Sequence, residues 1–228
     1  MQPTDNWWYS PQCMLLFADL AVRDYSRRGI SPPGEVQKTI DEGRTAAIFA
    51  LGLAEFVGAE MWLRLVHPRE QAPDVRLMYF DESGPRGSHR MNILQVEVAT
   101  YTRHSTESLG DFLFKVKLNP AKKAYSQNTV VVVFVQRGCG PEEIQAAHKQ
   151  LQGSGAQGMC FLIGMLRLEL YQLVQVFPHF RGPQDIDVHN AFESSTQLAV
   201  AEVKRGMSSV QTVSAEPIPT ANPFLDLV

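Results

Sequence analysis

Two acidic residues stand in neighbouring runs that have the pattern of β-strands. Asp74 follows a proline directly before the first run, and Glu97 lies inside the second, in the stretch VEV. Carboxylate oxygens are the ligands that Mg²⁺ prefers, and acids on adjacent strands can converge on one ion. A proline–aspartate pair is also a common start of a strand, and a lone glutamate on a strand usually faces solvent. Both interpretations stay open on the residues alone.

The elements that would position these acids are the two strands of a predicted hairpin. Apolar and other residues alternate over residues 75–80 and again over residues 93–101, with the turn-forming sequence DESGPRGSHRMN between them. Side chains point alternately to the two faces of a strand, so Gln95 and Glu97 share one face and Val96 lies on the other. One face is therefore predicted to be core, and the other carries Glu97.

The remaining chain predicts an α/β fold with a mixed central sheet flanked by helices. Apolar residues at helical spacing predict helices, whereas the apolar runs TVVVVFVQ and GMCFLIGML predict strands buried on both faces, joined as a parallel βαβ unit. Residues 167–180 fit either a strand pair or a helix. We expect one domain over residues 1–205 and a flexible tail over residues 206–228. The predicted helices are residues 11–28, 36–66, 105–118, 119–125, 141–152 and 190–205.

Composition narrows the class of protein. The chain has 228 residues, of which 44% are hydrophobic and 20% charged, as in ordinary globular domains. A net charge of −3 excludes a strongly basic nucleic-acid coating protein, although a local basic patch would not show in that sum. Three scattered cysteines favour a reducing compartment, and neither an export signal nor a long apolar run is evident. We expect a cytoplasmic protein without a membrane span.

The order helix, hairpin, helix, strand, helix, strand over residues 36–166 resembles the core of the PD-(D/E)XK nuclease superfamily, the restriction-endonuclease-like fold. The resemblance implies that Asp74 and Glu97 bind a divalent metal such as Mg²⁺ beside a scissile phosphate. It also implies a lysine two residues beyond the strand acid, where it would position the attacking water. The chain departs from the family here, because that position is Ala99.

Two substitutes for the missing lysine follow from the same resemblance. Some members of the superfamily carry the lysine on the neighbouring helix, which nominates Lys115 or Lys117. Other members use a residue that is not lysine, which nominates Gln95 acting with Glu97. The catalytic candidates are therefore Asp74 and Glu97, with Gln95 or Lys115 supporting the water.

The family often supplies a further acid from the preceding helix, and Glu55 and Glu60 are the candidates for that metal ligand. The resemblance leaves two functions open. The first is a Mg²⁺-dependent nuclease that acts on phosphodiester bonds. The second is a non-catalytic relative that serves as a binding or interaction module, with nucleic acid or another protein as its partner.

Three further sites are less specific. Arg86, His89 and Arg90 in the hairpin loop could contact phosphate, or could simply be solvated turn residues. Cys139 precedes a predicted helix whose dipole would stabilise a thiolate, although the following Glu142 and Glu143 oppose one. The tail sequence Asn-Pro-Phe at residues 222–224 resembles the ligand of endocytic EH domains and is equally a turn signal.

Overall fold

The computed structural model describes residues 8–66, 73–81, 90–121, 126 and 128–192. In this part of the chain, helices flank one mixed sheet whose seven strands lie side by side in sequence order. The predicted α/β class with a mixed central sheet is therefore confirmed. The strands are β1 (Met61–Leu65), β2 (Val75–Asp81), β3 (Arg90–Tyr101), β4 (Thr129–Val135), β5 (Met159–Arg167), β6 (Leu170–Phe177) and β7 (Arg181–Asp187).

The sheet has a parallel centre with antiparallel strands on each side of it. Strands β1, β2 and β3 form an antiparallel meander. The antiparallel pair of β2 and β3 confirms the predicted hairpin. Strands β3, β4 and β5 are parallel, which confirms the predicted parallel unit. Strands β6 and β7 continue antiparallel from β5, so residues 167–180 form a strand pair and not a helix.

Two helices cover one face of the sheet. Helix α1 (Pro11–Arg27) begins after Ser10, whose hydroxyl accepts a hydrogen bond from the Cys13 N–H. Helix α2 (Gly34–Val57) is buried along most of its second half, and both helices pack on the apolar side chains of β1, β2 and β3. This packing forms the larger of the two hydrophobic cores found in the described residues.

The prediction that the second helix runs to residue 66 is wrong. Helix α2 ends at Gly58, which adopts the left-handed conformation at φ 69°, a backbone geometry that favours glycine. The next residues, MWLRL, form β1 at the edge of the meander. Their alternation of buried and partly buried side chains fits a strand, although the run directly follows the helix in the sequence.

The opposite face carries a shorter helical layer. Helix α3 (Leu109–Phe112) continues as a π-helical segment, Leu113–Leu118, and helix α4 (Pro141–Gly153) follows β4. The predicted helix over residues 105–118 thus begins later than expected and changes its hydrogen-bonding pattern. Apolar side chains of these elements form the second core with β4, β5 and β6.

Some predicted elements fall partly outside the described residues. Residues 188–192 are helical, whereas the rest of the predicted helix over residues 190–205 and the tail over residues 206–228 lie outside. Most of the short helix predicted over residues 119–125 lies outside as well. No helix in the described part is both long and apolar enough to cross a membrane.

Candidate active site at the start of strand β2

The candidate site lies where β3 extends beyond its neighbour β2. The pairing of β2 with β3 runs from Asp81 opposite Arg90 to Val75 opposite Val96. Strand β3 continues to Tyr101 and remains paired with β4 on its other side. Among the described residues no strand pairs with this last part of β3 on the β2 side, which leaves a notch in the sheet.

Asp74 is fixed at the base of this notch by two hydrogen bonds. Its backbone carbonyl accepts from the Val66 N–H at 3.1 Å, which extends the pairing of β1 and β2 by one residue. Its carboxylate Oδ2 accepts from the Val98 N–H of β3 at 2.8 Å. The carboxylate of Asp74 therefore lies beside the backbone of the residue that follows Glu97.

Glu97 is almost fully buried and is paired with a lysine from another element. Its side chain lies on the face of the sheet opposite α1 and α2, and Lys117 Nζ donates to Glu97 Oε2 at 3.1 Å. The lysine is itself mostly buried, with 17% of its side chain exposed. A buried carboxylate requires such a partner, because burial removes its hydration. The structure thus brings a lysine to the strand glutamate from outside the strand.

Lys117 reaches Glu97 from the π-helical segment, whereas Lys115 does not. Lys115 lies on the exposed surface and approaches Glu107 at 3.8 Å. Single π-helical turns occur mostly inside α-helices and frequently at functional sites, and their i→i+5 pattern changes which residues share a face. Of the two lysines that the sequence nominated, only Lys117 lies at the candidate site.

Glu42 is a further acid at the site that the sequence analysis did not single out. It lies on α2 beside an open pocket of about 320 Å³, which Lys38 and Asp41 of the same helix line together with Val98 and Thr100 of β3. Burial and the negative charge of Asp74 raise the pKa of Glu42 from 4.5 to about 7, although Lys38 and Lys117 oppose the increase.

The raised pKa of Glu42 comes first from burial and second from the negative charge of Asp74, while Lys38 and Lys117 act in the opposite direction. Of the charges near Glu42, that of Asp74 has the largest effect on its pKa. Repulsion between acids favours the protonated form of one of them in the absence of a counter-charge. A divalent cation at this position would relieve that repulsion.

The structure does not bring the other nominated acids to this site. Glu55 is exposed near the end of α2, where its carboxylate accepts a hydrogen bond from Gln184 at 2.8 Å. It lies 13 residues beyond Glu42 on the same helix, or about 20 Å at the usual rise. Glu60 is exposed in the turn before β1.

Gln95 lies near Glu97 but is not part of the charged cluster. It is on the same face of β3, two residues earlier, and it is exposed. Its side-chain carbonyl accepts from the Thr129 hydroxyl at 3.5 Å. The side chain is therefore held towards β4.

Cys139 does not have the properties of a nucleophile. Burial and the neighbouring Glu143 raise the pKa of its thiol to about 11, although Arg137 opposes the increase. The thiol is therefore protonated at neutral pH, contrary to the thiolate that the helix dipole alone would favour. Of the other sequence candidates, Arg90 is exposed at the start of β3, and Arg86, His89 and residues 222–224 lie outside the described residues.

The donor set fits Mg²⁺ but forms no complete protein cage. Within residues that the structure describes, no group of three His, Cys, Asp or Glu side chains is placed to hold a metal ion. Mg²⁺ usually keeps several waters and binds one or two carboxylates together with substrate phosphates, so a full cage is not required. Asp74, directly before β2, and Glu97 of β3 are the two carboxylates available for this role.

Comparison with known proteins adds no assignment to this geometry. No protein-family model matches the chain, and no curated protein or solved structure is significantly similar to it.

Proposed function

We propose that the protein is a Mg²⁺-dependent nuclease with a restriction-endonuclease-like core, in which Lys117 replaces the lysine that is missing from strand β3. The single observation that carries this proposal is the contact between Lys117 Nζ and Glu97 Oε2 at 3.1 Å, next to Asp74. A lysine provided by the neighbouring helical element is one of the two substitutes that the resemblance allows. The other, Gln95, is directed towards Thr129.

The order of elements supports the same proposal. Helix α2, the antiparallel strands up to β3, the α3 layer, β4, α4 and β5 follow one another in the order that the resemblance requires. The additional strand β1 lies at the edge of the meander and leaves the arrangement of β2 and β3 unchanged. Because unrelated functions can share a fold, the proposal depends on the side chains at the notch.

Asp74 and Glu97 would hold the metal ion, and the Val98 N–H keeps the Asp74 carboxylate in place. When bound, Mg²⁺ supplies a Lewis acid that polarises a phosphate and activates a coordinated water. Lys117 would carry a positive charge beside the scissile phosphate and would orient the attacking water by hydrogen bonding. Glu42 of α2 would add negative charge beside the ion without being a third direct ligand, because it interacts with Asp74 but no group of three acids among the described residues is placed to hold a metal ion.

The test is a cleavage assay with labelled DNA and RNA, single-stranded and duplex, in Mg²⁺ or Mn²⁺. We expect cleavage by the wild-type protein and a loss of at least about 100-fold in Glu97→Gln and Lys117→Met, as for removal of one electrostatic catalytic group. Glu55→Gln and Lys115→Met are matched controls that should keep wild-type activity. Equal activity in Lys117→Met and Lys115→Met would contradict the proposed role of Lys117.

A non-catalytic binding module is the second candidate, and the same ion pair favours it. Lys117 already neutralises Glu97 without a metal ion, and a buried pair of this kind can be purely structural. This alternative predicts no metal-dependent cleavage of any substrate. It also predicts that Glu97→Gln and Lys117→Met change stability and leave the binding of partners intact.

A further inference from the structure

The face of β1, β2 and β3 turned away from α1 and α2 carries a set of side chains that the cleavage proposal does not use. We call it the outer face of the meander. In the described part of the chain, none of these side chains belongs to either hydrophobic core. From the notch outwards, its rows are Arg64, Arg76 and Gln95, then Trp62, Met78 and Ile93, then Phe80 and Met91.

The first row places two positive charges opposite each other. Arg64 on β1 and Arg76 on β2 are register partners, and neither has a carboxylate partner among the described residues. Like charges directly opposite on adjacent strands destabilise a sheet. The Nε atom of Arg64 is in addition buried, with no hydrogen-bond partner in the part of the chain that the structure describes. An anion at this position would neutralise both arginines and could accept a hydrogen bond from Arg64 Nε.

The arginine pair lies directly beside the candidate site. Arg76 follows Asp74 by two residues on β2, and its register partner Gln95 precedes Glu97 by two residues on the same face of β3. Two residues along a strand correspond to about 7 Å. An anionic group held by the arginines would therefore be about one phosphate spacing from the carboxylates.

The outer rows are apolar and aromatic. Phe80 and Met91, which are register partners, have exposed fractions of 45% and 54%, and Trp62 is half-buried. Exposed aromatic side chains beside positive charge are typical of surfaces that bind single-stranded nucleic acid, because unpaired bases can stack on them. Paired bases in a duplex do not offer their faces in this way.

We propose that a single-stranded nucleic acid crosses the outer face of the meander, with a phosphate held by Arg64 and Arg76 and its bases against Trp62 and Phe80. Phe80 lies opposite Met91, which precedes Glu97 by six residues on β3, so the nucleic acid would follow about 20 Å of strand from Phe80 to Glu97. This inference deepens the proposed function, since it names the substrate class, but binding along this face does not require the chain to cleave.

The test measures binding of a fluorescent single-stranded oligonucleotide by anisotropy, with EDTA present so that no cleavage occurs. Arg64→Ala and Arg76→Ala should each weaken binding about tenfold, as expected for loss of a hydrogen bond to a charged group. The slope of log affinity against log salt should fall by about 0.7 for each phosphate that the variant no longer neutralises. Phe80→Ala, at an exposed position, should weaken binding roughly tenfold because a base can no longer stack there, with the salt slope unchanged.

The chain offers matched controls for these variants. Arg23→Ala changes an exposed arginine on α1, and Phe56→Ala changes an exposed phenylalanine at the end of α2, both away from the outer face. Both should bind as the wild type does. Arg76→Lys keeps the charge and should preserve the salt slope while losing part of the affinity.

Three results would overturn the inference. They are absence of binding by the wild-type protein, tighter binding of a duplex of the same length, and equal affinities for Arg64→Ala, Arg76→Ala and the control Arg23→Ala. If the protein is not a nuclease, metal-dependent cleavage will be absent, but the binding measured in EDTA will still be observed. The two proposals can therefore fail separately.

Discussion

Lys117 Nζ lies 3.1 Å from Glu97 Oε2, and both side chains are largely buried, although the two residues are 20 positions apart in the chain. A helical element thus supplies a lysine to Glu97, whereas β3 itself has an alanine at position 99. Both the nuclease proposal and its non-catalytic alternative depend on this ion pair. The effects of its variants on the stability of the protein and on cleavage must therefore be measured separately.

Lys117→Met should destabilise the protein by about 3 kcal/mol, because it leaves the buried Glu97 carboxylate without its lysine. Lys115→Met, the matched control, removes an exposed lysine that pairs with Glu107 and should cost less than about 1 kcal/mol. Urea denaturation monitored by circular dichroism measures both free energies of unfolding. Equal costs for the two variants would show that the buried pair has no special role in stability.

The double variant Glu97→Gln with Lys117→Met separates structure from chemistry. Removing both charges should recover part of the stability lost in Lys117→Met, because no unpaired buried charge remains. If the pair is catalytic, cleavage should stay abolished in this stabilised protein. Recovery of cleavage together with stability would mean that the pair acts only through folding.

Asp74→Ala should be less stable than Asp74→Asn by roughly 1–3 kcal/mol. The asparagine carbonyl can still accept the hydrogen bond from the Val98 N–H, whereas alanine leaves that donor without its acceptor. Both variants should lose metal-dependent cleavage, because both lack the carboxylate. Urea denaturation and the cleavage assay test the two statements, and equal stability of the variants would contradict the role assigned to this hydrogen bond.

Glu42 should make the protein less stable as the pH rises from about 4.5 to about 7. Its pKa is raised in the folded protein, so the folded state binds the proton more tightly than the unfolded state, and this advantage is lost as the pH rises through about 7. Glu42→Gln should therefore gain roughly 1–2 kcal/mol over wild type at alkaline pH and little at acidic pH, allowing for partial exposure.

Thermal and urea denaturation across this pH range measure the Glu42 effect. Glu55→Gln changes an exposed glutamate of the same helix and should leave the pH profile as in wild type. A Glu42→Gln profile parallel to that of wild type would show that the pKa of Glu42 is not raised in the folded protein.

Much of the sheet could be predicted from the sequence, since β2 and β3 show alternation and β4 and β5 are continuous apolar runs. Strand β1 could not be predicted, because its short apolar run continues the pattern of α2 after only three residues, the first of which is the left-handed Gly58. Short apolar runs do not by themselves distinguish a strand from a helix.

The candidate site was predictable in part. The family resemblance nominated Asp74 and Glu97, and the predicted hairpin that carries them is present in the structure. The choice between Lys115 and Lys117 depends on the π-helical segment, whose i→i+5 hydrogen bonds change which side chains share a face. No sequence pattern predicts this segment. Glu42 becomes visible only when α2 is placed beside the notch in β3, which is a tertiary contact and not a feature of the helix sequence.

Cys139 should react slowly with iodoacetamide at neutral pH. Burial and Glu143 raise the pKa of its thiol to about 11, whereas Cys13 on α1 is exposed. Mass spectrometry after limited alkylation should show modification at Cys13 first, then at Cys139, and at the buried Cys160 only on unfolding. Faster modification of Cys139 than of Cys13 would revive the possibility of an activated thiol.

The most direct test of the site is a calorimetric titration with Mn²⁺ in the presence of a single-stranded phosphorothioate oligonucleotide, which resists cleavage and supplies the phosphate ligands. We predict binding by the wild-type protein and by Glu55→Gln, and loss of binding in Asp74→Asn and Glu97→Gln. Binding that persists unchanged in Glu97→Gln, or no binding by the wild-type protein even with the oligonucleotide present, would contradict a metal site at the start of β2.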